Sequence, residues 1–349
     1  MDFTFSEDQI LFRDSVREFL SNEVSAESLR ERWDVPGGRS KELWAALAEL
    51  GLTGMLVSEA NGGLGMNEID FVLLAEECGR AALPEPLVDT VLVATPILQE
   101  AGMNDVLSAI ATGDSAVAVQ PTEGALLADA EFSDYLIVQQ GSAVYLMKSA
   151  DATLELQESV DPGRRLYSVS WQPDQATMLA DGNEGAAMQA RLFNRGALGA
   201  AAQLLGLSQR MIELSVNYTS ERNQFGKPIG SFQAVKHHMA NVAVKTEFAK
   251  APVYRAAYSV THNLGDAAQH VSHAKLAATE AATLAAKSGI QVHGAMGYTW
   301  EVDLQIFMKR AWALAGAWGS RGEHKARVAS AVFGAERSLG AGQTFASAS

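Results

Sequence analysis

At 349 residues, with 48% hydrophobic and 19% charged residues, the chain has a globular composition and exceeds one ordinary core, so two or three packed units are expected. Its formal net charge of −14 and lack of a Lys/Arg run exclude a phosphate-tracking stripe for nucleic acid and give no attraction to an anionic membrane. Charges interrupt the apolar runs too often for a membrane span, Asp2, Glu7 and Asp8 stand where a basic leader would lie, and a lone cysteine, Cys78, excludes an internal disulfide. A reducing cytoplasm is the expected setting. The carboxylates of Glu76 and Glu77 oppose thiolate formation at Cys78 and leave it a packing role.

The first third predicts helices. Phe5-Ser6-Glu7-Asp8 caps a helix with apolar positions Ile10, Leu11, Val16, Phe19 and Leu20, and a second helix runs from Ser40 through Leu50 to a stop at Gly51. Glu59-Ala-Asn-Gly-Gly-Leu-Gly65 superficially suggests a dinucleotide loop but lacks the preceding strand and the full spacing, so it reads as a turn between helices. A further helix covers about Glu68 to Arg80 and is closed by Pro84 and Pro86. From about Ser115 the character changes to short β-rich runs at 115–120, 135–138, 143–147 and 166–171, separated by Gly, Asp and Pro.

After Gly185 helix returns. Phe232, Val235, Met239, Val242, Thr246, Ala249, Val253 and Ala256 follow steps of three and four, one long buried stripe, with Pro252 kinking that helix without ending it. An Ala-rich helix from Asp266 to Ser288 is expected to stop at Gly289. The expected fold is mainly α with a small β-domain: an N-terminal helical domain over 1–112, a reduced middle β-domain over 113–185, a C-terminal four-helix bundle over 186–336, and a flexible tail over 337–349. No internal repeat is visible.

Two loops carry the chemistry. Arg222-Asn-Gln-Phe-Gly-Lys-Pro-Ile-Gly-Ser-Phe-Gln233 and Gln291-Val-His-Gly-Ala-Met-Gly-Tyr-Thr-Trp-Glu301 attach Gly, amide and charged groups to long helices. Taken singly, Arg222 reads as an ion-pair partner of Glu221 or of a nearby carboxylate at a helix end, and Gly294 and Gly297 as ordinary turn glycines. Together, and in this order of helical, β and helical parts, they resemble the flavin-binding half of the acyl-CoA dehydrogenase family. The resemblance spans nearly the whole chain, strongest from about Arg195 to Ser320 and poor in the middle. It implies that Arg222, Phe225, Gln233, Gln291, Gly294, Gly297 and Ser320 contact flavin adenine dinucleotide, FAD, bound mainly by a neighbouring subunit. The chemistry fits: Arg makes charge-assisted hydrogen bonds to pyrophosphate, Phe packs on a flat ring, and Gly lets the backbone approach.

The family reaction removes a proton next to a thioester carbonyl while a hydride leaves the next carbon for flavin, and a desolvated glutamate is the usual base. Along the resemblance that position falls on Trp318, and an alternative one, at the start of an earlier helix, on Gly196. Neither side chain is a base. The family segment of Thr and Trp that covers the isoalloxazine has no counterpart between Ser115 and Trp171 beyond an echo in Pro121-Thr-Glu-Gly124. As replacement bases, Glu301 reads as a helix cap, and Glu323 with His324 as a solvated or interfacial face. Adjacent His237 and His238 point to different sides of a helix, which argues against a metal pair.

The resemblance therefore implies the shorter, glutamate-lacking chain of a heteromeric α2β2 bacterial acyl-CoA dehydrogenase, of the type that acts on bulky substrates such as steroid side-chain thioesters. Its partners would be a larger glutamate-bearing subunit, the acyl-CoA, and an electron-transfer flavoprotein. A homomeric enzyme with an unrecognised base and a non-enzymatic assembly or CoA-ester binding protein are the alternatives.

Overall fold

The computed structural model describes residues 4–33, 35 and 37–334; the expected tail at 337–349 lies outside them. In chain order the helices α1 (Glu7–Glu23), α2 (Ala26–Glu31), α3 (Lys41–Glu49), α4 (Glu68–Ala81), α5 (Thr95–Glu100) and α6 (Asn104–Ala111) come first. The strands β1 (Val117–Val119), β2 (Leu127–Ala128), β3 (Tyr135–Gln140), β4 (Ala143–Lys148), β5 (Thr153–Gln157), β6 (Leu166–Ser170) and β7 (Thr177–Ala180) follow. Then come α7 (Gly182–Glu221), the short strands β8 (Asn223–Gln224) and β9 (Lys227–Pro228), α8 (Gln233–Thr261), α9 (Ala267–His293), α10 (Leu304–Gly316) and α11 (Arg321–Phe333). The fold is mainly helical, with its strands between helical N- and C-terminal parts, as the sequence leads one to expect. No helix among the described residues is long and apolar enough to cross a membrane.

Local chemistry sets the helix ends. Ser6 and Gln9 form a reciprocal cap at α1, with Ser6 N–H donating to Gln9 Oε1 at 2.8 Å and Gln9 N–H to Ser6 Oγ at 3.2 Å. Ser40 Oγ accepts from Leu43 N–H at the start of α3, and Gly51 lies beyond its end at φ +77. The stretch 59–65 is the expected turn, a single 3-10 turn at Glu59–Asn61 followed by a left-handed Gly62.

The chain divides into two compact units, and the described residues of one are 18–33, 35, 37–71 and 83–199. Here a four-stranded sheet runs in the order β1-β3-β4-β7, with β1 parallel to β3 and the other pairs antiparallel, and a three-stranded antiparallel sheet runs β2-β6-β5. Side chains alternate along a strand, so Leu136 and Val138 of β3 share a face with Ala143, Tyr145 and Met147 of β4 and form one core with Leu127 and Tyr167. A π-helical turn at Asp89–Ala94 is tied to β1, because Thr90 Oγ1 donates to Val117 O at 3.2 Å and accepts from Val117 N–H at 3.0 Å. Helix α7 begins at Gly182, ahead of Gly185; a Cβ at Gly185 would sit 2.1 Å from Ser142 O. In the same unit Arg195 and Glu68 form a buried ion pair at 2.9 Å.

The other unit contains 4–17, 72–82 and 200–334 among its described residues. Along α8, Met239, Val242, Thr246, Ala249, Val253 and Ala256 are buried as the periodicity requires, whereas Phe232, just before the helix, and Val235 in its first turn are half-buried, and Pro252 stands inside an unbroken helix. Helix α9 packs along α8 and also against α10 and α11. Among the described residues the C-terminal part runs from α7 to α11, the stretch after the second loop dividing into the short helices α10 and α11. The expected stop at Gly289 is corrected: α9 continues to His293. Gly289 serves close packing, since a Cβ there would lie 3.1 Å from Leu304 Cδ1 and 3.2 Å from Ser215 Oγ.

Replacing Arg195 with Met removes the guanidinium from a buried carboxylate while keeping apolar volume. Urea denaturation is expected to show a loss of about 3 kcal/mol; an unchanged midpoint would mean that Glu68 needs no cation.

Candidate functional site

The first loop is a β-hairpin. Phe225 and Gly226 at its tip have φ +55 and +80, the paired left-handed conformations of a two-residue turn. Arg222 anchors its base through the backbone, donating N–H to Tyr218 O at 2.9 Å and accepting from Ile229 N–H at 2.8 Å. The guanidinium is exposed, and no carboxylate among the described residues lies within ion-pair distance of it, so the pairing with Glu221 does not form. Phe225 is 90% exposed, touching the edge of Phe232 at 6.2 Å, while Lys227 Nζ lies 4.4 Å over the Phe232 ring. Gln233 follows as the exposed first residue of α8.

The second loop starts where α9 ends. Gln291 is exposed in the last turn, and Gly294 stops the helix at φ +62, ψ −138, a conformation that a side chain opposes, with open space where a Cβ would be. Gly297 plays a different part: it is buried, and a Cβ would lie 2.9 Å from Ile290 Cα and O, so its smallness lets the loop fold back on α9.

The structure brings the two loops together through residues that the sequence pattern did not single out. Tyr218, one turn before Arg222, stacks on His293, immediately before Gly294, with ring centroids 4.2 Å apart and 19° between planes. His293 Nδ1 is 2.8 Å from Gly289 O, and burial lowers its pKa below the ordinary histidine value. The only signal in the sequence is position: an aromatic one helical turn from one motif and a ring inside the other.

Between α10 and α11 lies the turn Ala317-Trp-Gly-Ser320. Trp318 is 5% exposed with φ +54, unusual for a bulky residue. Its carbonyl is 2.8 Å from His324 Nε2, and Lys275, itself buried, donates Nζ to Ala315 O at 3.0 Å. Ser320 caps α11: its Oγ accepts from Glu323 N–H at 3.3 Å, and its N–H donates to Glu323 Oε2 at 2.6 Å. These bonds hold the Glu323 carboxyl below the usual range, which makes it a weak base. The expected solvated or interfacial face at Glu323 and His324 is thus corrected for His324, which is fully buried because its ring is the donor that satisfies the Trp318 carbonyl. Burial drives its pKa down to about 4.

The remaining candidates stand apart from such a constellation. Glu301 is exposed in the turn before α10, and the N-cap position is Asp303. Gly196 is buried well inside α7, away from the helix start expected for it. Thr122 and Glu123 lie in the exposed turn after β1, where Glu123 Oε2 accepts from Gly141 N–H at 3.1 Å. His237 and His238 are both exposed, and no cluster of three metal-ligating side chains occurs among the described residues. Cys78 is a buried thiol, consistent with packing.

Residues 6–113 match the acyl-CoA dehydrogenase N-terminal domain and residues 183–333 the acyl-CoA dehydrogenase C-terminal domain. The chain is 31% identical to acyl-CoA dehydrogenase IpdE2 of Mycolicibacterium smegmatis over 94% of its own length and 100% of that protein. In fold it is similar to a Tcur3481-Tcur3483 steroid ACAD variant, with TM-score 0.86, 22% identity and 94% and 98% of the two chains covered. It is also similar to the ChsE4-ChsE5 complex from Mycobacterium tuberculosis, with TM-score 0.84, 21% identity and coverage of 97% and 100%. The chain belongs to the acyl-CoA dehydrogenase family, whose members are FAD-dependent oxidoreductases. The groups present suit that cofactor: an exposed guanidinium, an exposed aromatic ring, and two glycines, 226 and 294, with open space beside them are of the kinds that a polar, flat dinucleotide would need.

His324 supplies a test of the turn. Its folded pKa lies below the value of 6.5 that it takes when unfolded, so its burial costs nothing above pH 6.5, and stability is lost as pH falls toward about 4. The thermal midpoint of the wild type is expected to drop over this window, and His324→Gln to flatten that part of the profile; identical profiles would mean that His324 does not titrate there.

Proposed function

We propose that this chain is the base-lacking subunit of a heteromeric, FAD-dependent acyl-CoA dehydrogenase, assembled as α2β2 with a larger glutamate-bearing chain in the cytoplasm. The observation that carries this is the turn at 317–320. Where the family resemblance places the base there is a buried indole, fixed by His324 and a capped helix, and the nearest acid in sequence, Glu323, is committed to the cap. Indole nitrogen carries no basic lone pair.

The other half of the family's equipment is retained. Arg222, with its charge uncommitted, would bind pyrophosphate; Phe225 would lie against a flat ring; Gln233 and Gln291 would offer amides; and the backbone at Gly294 would admit a close approach. Gly297 shapes this loop, and Ser320 acts first as a helix cap. FAD held there would supply the acceptor for the hydride that leaves the acyl-CoA. The partner chain provides the isoalloxazine pocket and the carboxylate, and electrons leave to an electron-transfer flavoprotein. A bulky, steroid-type acyl-CoA is the proposed substrate, supported by the similarity to a steroid acyl-CoA dehydrogenase and to the two-chain ChsE4-ChsE5 assembly. Giving up one of two acyl cavities frees that cavity from substrate constraints, which leaves a fused-ring group more room in the other.

Expressing the chain alone and with its larger partner tests the assignment. Flavin and dye reduction are expected only on co-expression; turnover by the chain alone would establish a homomeric enzyme, and absence of flavin in both cases a binding protein. In the assembled enzyme Arg222→Ala is expected to weaken FAD binding by about tenfold or more, whereas Glu301→Gln should leave turnover within about twofold of wild type. Loss of turnover in Glu301→Gln with flavin still bound would relocate the base to this chain.

A further inference from the structure

We propose that Tyr218 and His293 form a positioning clamp that fixes the spacing of the two dinucleotide-contacting loops, so that the affinity for FAD depends on the stack between their rings. The inference rests on the assignment of those loops made above.

Each ring is tied into a different helix end. Tyr218 belongs to the last turn of α7, and its carbonyl holds the N–H of Arg222 at 2.9 Å. His293 is the last residue of α9, and a carbonyl can only accept, so the 2.8 Å contact to Gly289 O places the ring proton on Nδ1 and fixes the ring plane. The next residue, Gly294, turns the chain into the second loop. A stack at 4.2 Å with a further 3.4 Å contact from the Tyr218 hydroxyl to His293 O therefore couples the base of the hairpin to the start of the glycine loop. No other stacked aromatic pair among the described residues joins α7 to α9. Both rings lie one turn or less from a proposed contact residue, whereas neither is itself a contact: His293 is buried and Tyr218 partly so.

This arrangement makes the pair a determinant of loop geometry rather than of fold. Helices α7 and α9 are already packed through small residues, as Gly289 shows beside Ser215, so the rings are not needed to bring the helices together. They are needed to hold the terminal turns, where helices otherwise fray.

The test is FAD affinity, measured by fluorescence titration of FAD-stripped protein in its assembled form, alongside the thermal midpoint of the same protein without FAD. Tyr218→Leu and His293→Leu are each expected to weaken FAD binding by about three- to tenfold with little change in the midpoint of the stripped protein. Tyr218→Phe, which keeps the stack, should bind within about twofold of wild type. The double Leu variant should lose no more than either single one, because the rings act as a unit. Wild-type affinity in both single Leu variants, or losses that multiply in the double, would overturn the clamp; so would a loss of affinity no larger than the accompanying loss of stability. Arg222→Ala measured in parallel separates the two levels. If Arg222→Ala weakens binding while the Leu variants do not, the loop assignment stands and the clamp falls; if Arg222→Ala binds FAD as wild type does, the assignment fails and the clamp with it.

Discussion

Close approach of helices through residues without side chains governs the unit that carries the candidate site. A Cβ at Gly206 of α7 would lie 1.8 Å from Glu76 O of α4, and one at Gly79 of α4 would lie 2.1 Å from Gln203 O of α7. Nothing larger than hydrogen fits at either place, so these two glycines fix the spacing of α4 and α7 as firmly as any large core residue. Gly289 does the same for α9 against Leu304 and Ser215. The position of the C-terminal end of α7, and with it Tyr218 and Arg222, follows from packing set some distance back along the helix.

Such tight packing leaves polar groups inside, and the chain satisfies them with specific partners. Glu76, raised in pKa mainly by burial, accepts from Tyr254 Oη at 2.9 Å and from Gln209 Nε2. Glu77 takes a two-point contact from Arg17, at 2.5 Å and 2.9 Å. Lys275 and His324 meet the carbonyls of Ala315 and Trp318 around the turn that closes α10. A buried carbonyl at a helix end costs about as much as a lost hydrogen bond if unmet, so these side chains determine which turn can form there. The left-handed conformation of Trp318 persists because its surroundings over-determine it.

Much of this was legible from residue pattern, and the failures have physical causes. The stripe along α8 and the cap at Ser6 involve local periodicity and local hydrogen bonds, which a sequence displays directly. Gly289 and Gly294 are indistinguishable by composition: one is demanded by a neighbour, Leu304, and the other by backbone conformation, so only the fold shows which ends the helix. Strand β5 is largely exposed and carries Thr, Glu and Gln, so it lacks the apolar run that marked β3 and β4, and β7 is only four residues long. His324 sits among Arg321, Glu323 and Lys325 and reads as surface; its burial depends on a carbonyl six residues earlier that is turned inward by an unusual φ. The stack of Tyr218 on His293 crosses 75 residues of chain and leaves no periodic trace.

The proposed cofactor-facing surface and the proposed base position occupy separate parts of the structure. The proposed FAD contacts are exposed loops at the ends of α7 and α9 and the start of α8, whose conformation depends on glycines with open space beside them. The position proposed for the family's base lies in a separate, buried turn between α10 and α11, held by its own cap and by His324. A substitution at 318 acts on packing and on the hydrogen bonds of that turn, and among the described residues no hydrogen bond links that turn to Arg222, Phe225 or Gly294. Effects of substitutions at sites without common partners add nearly independently, so a change at 318 and a change in the loops are expected to act separately. Placing a carboxylate at 318 would put a charge where a buried indole now sits, and that charge would need a hydrogen-bonding or cationic partner in the turn.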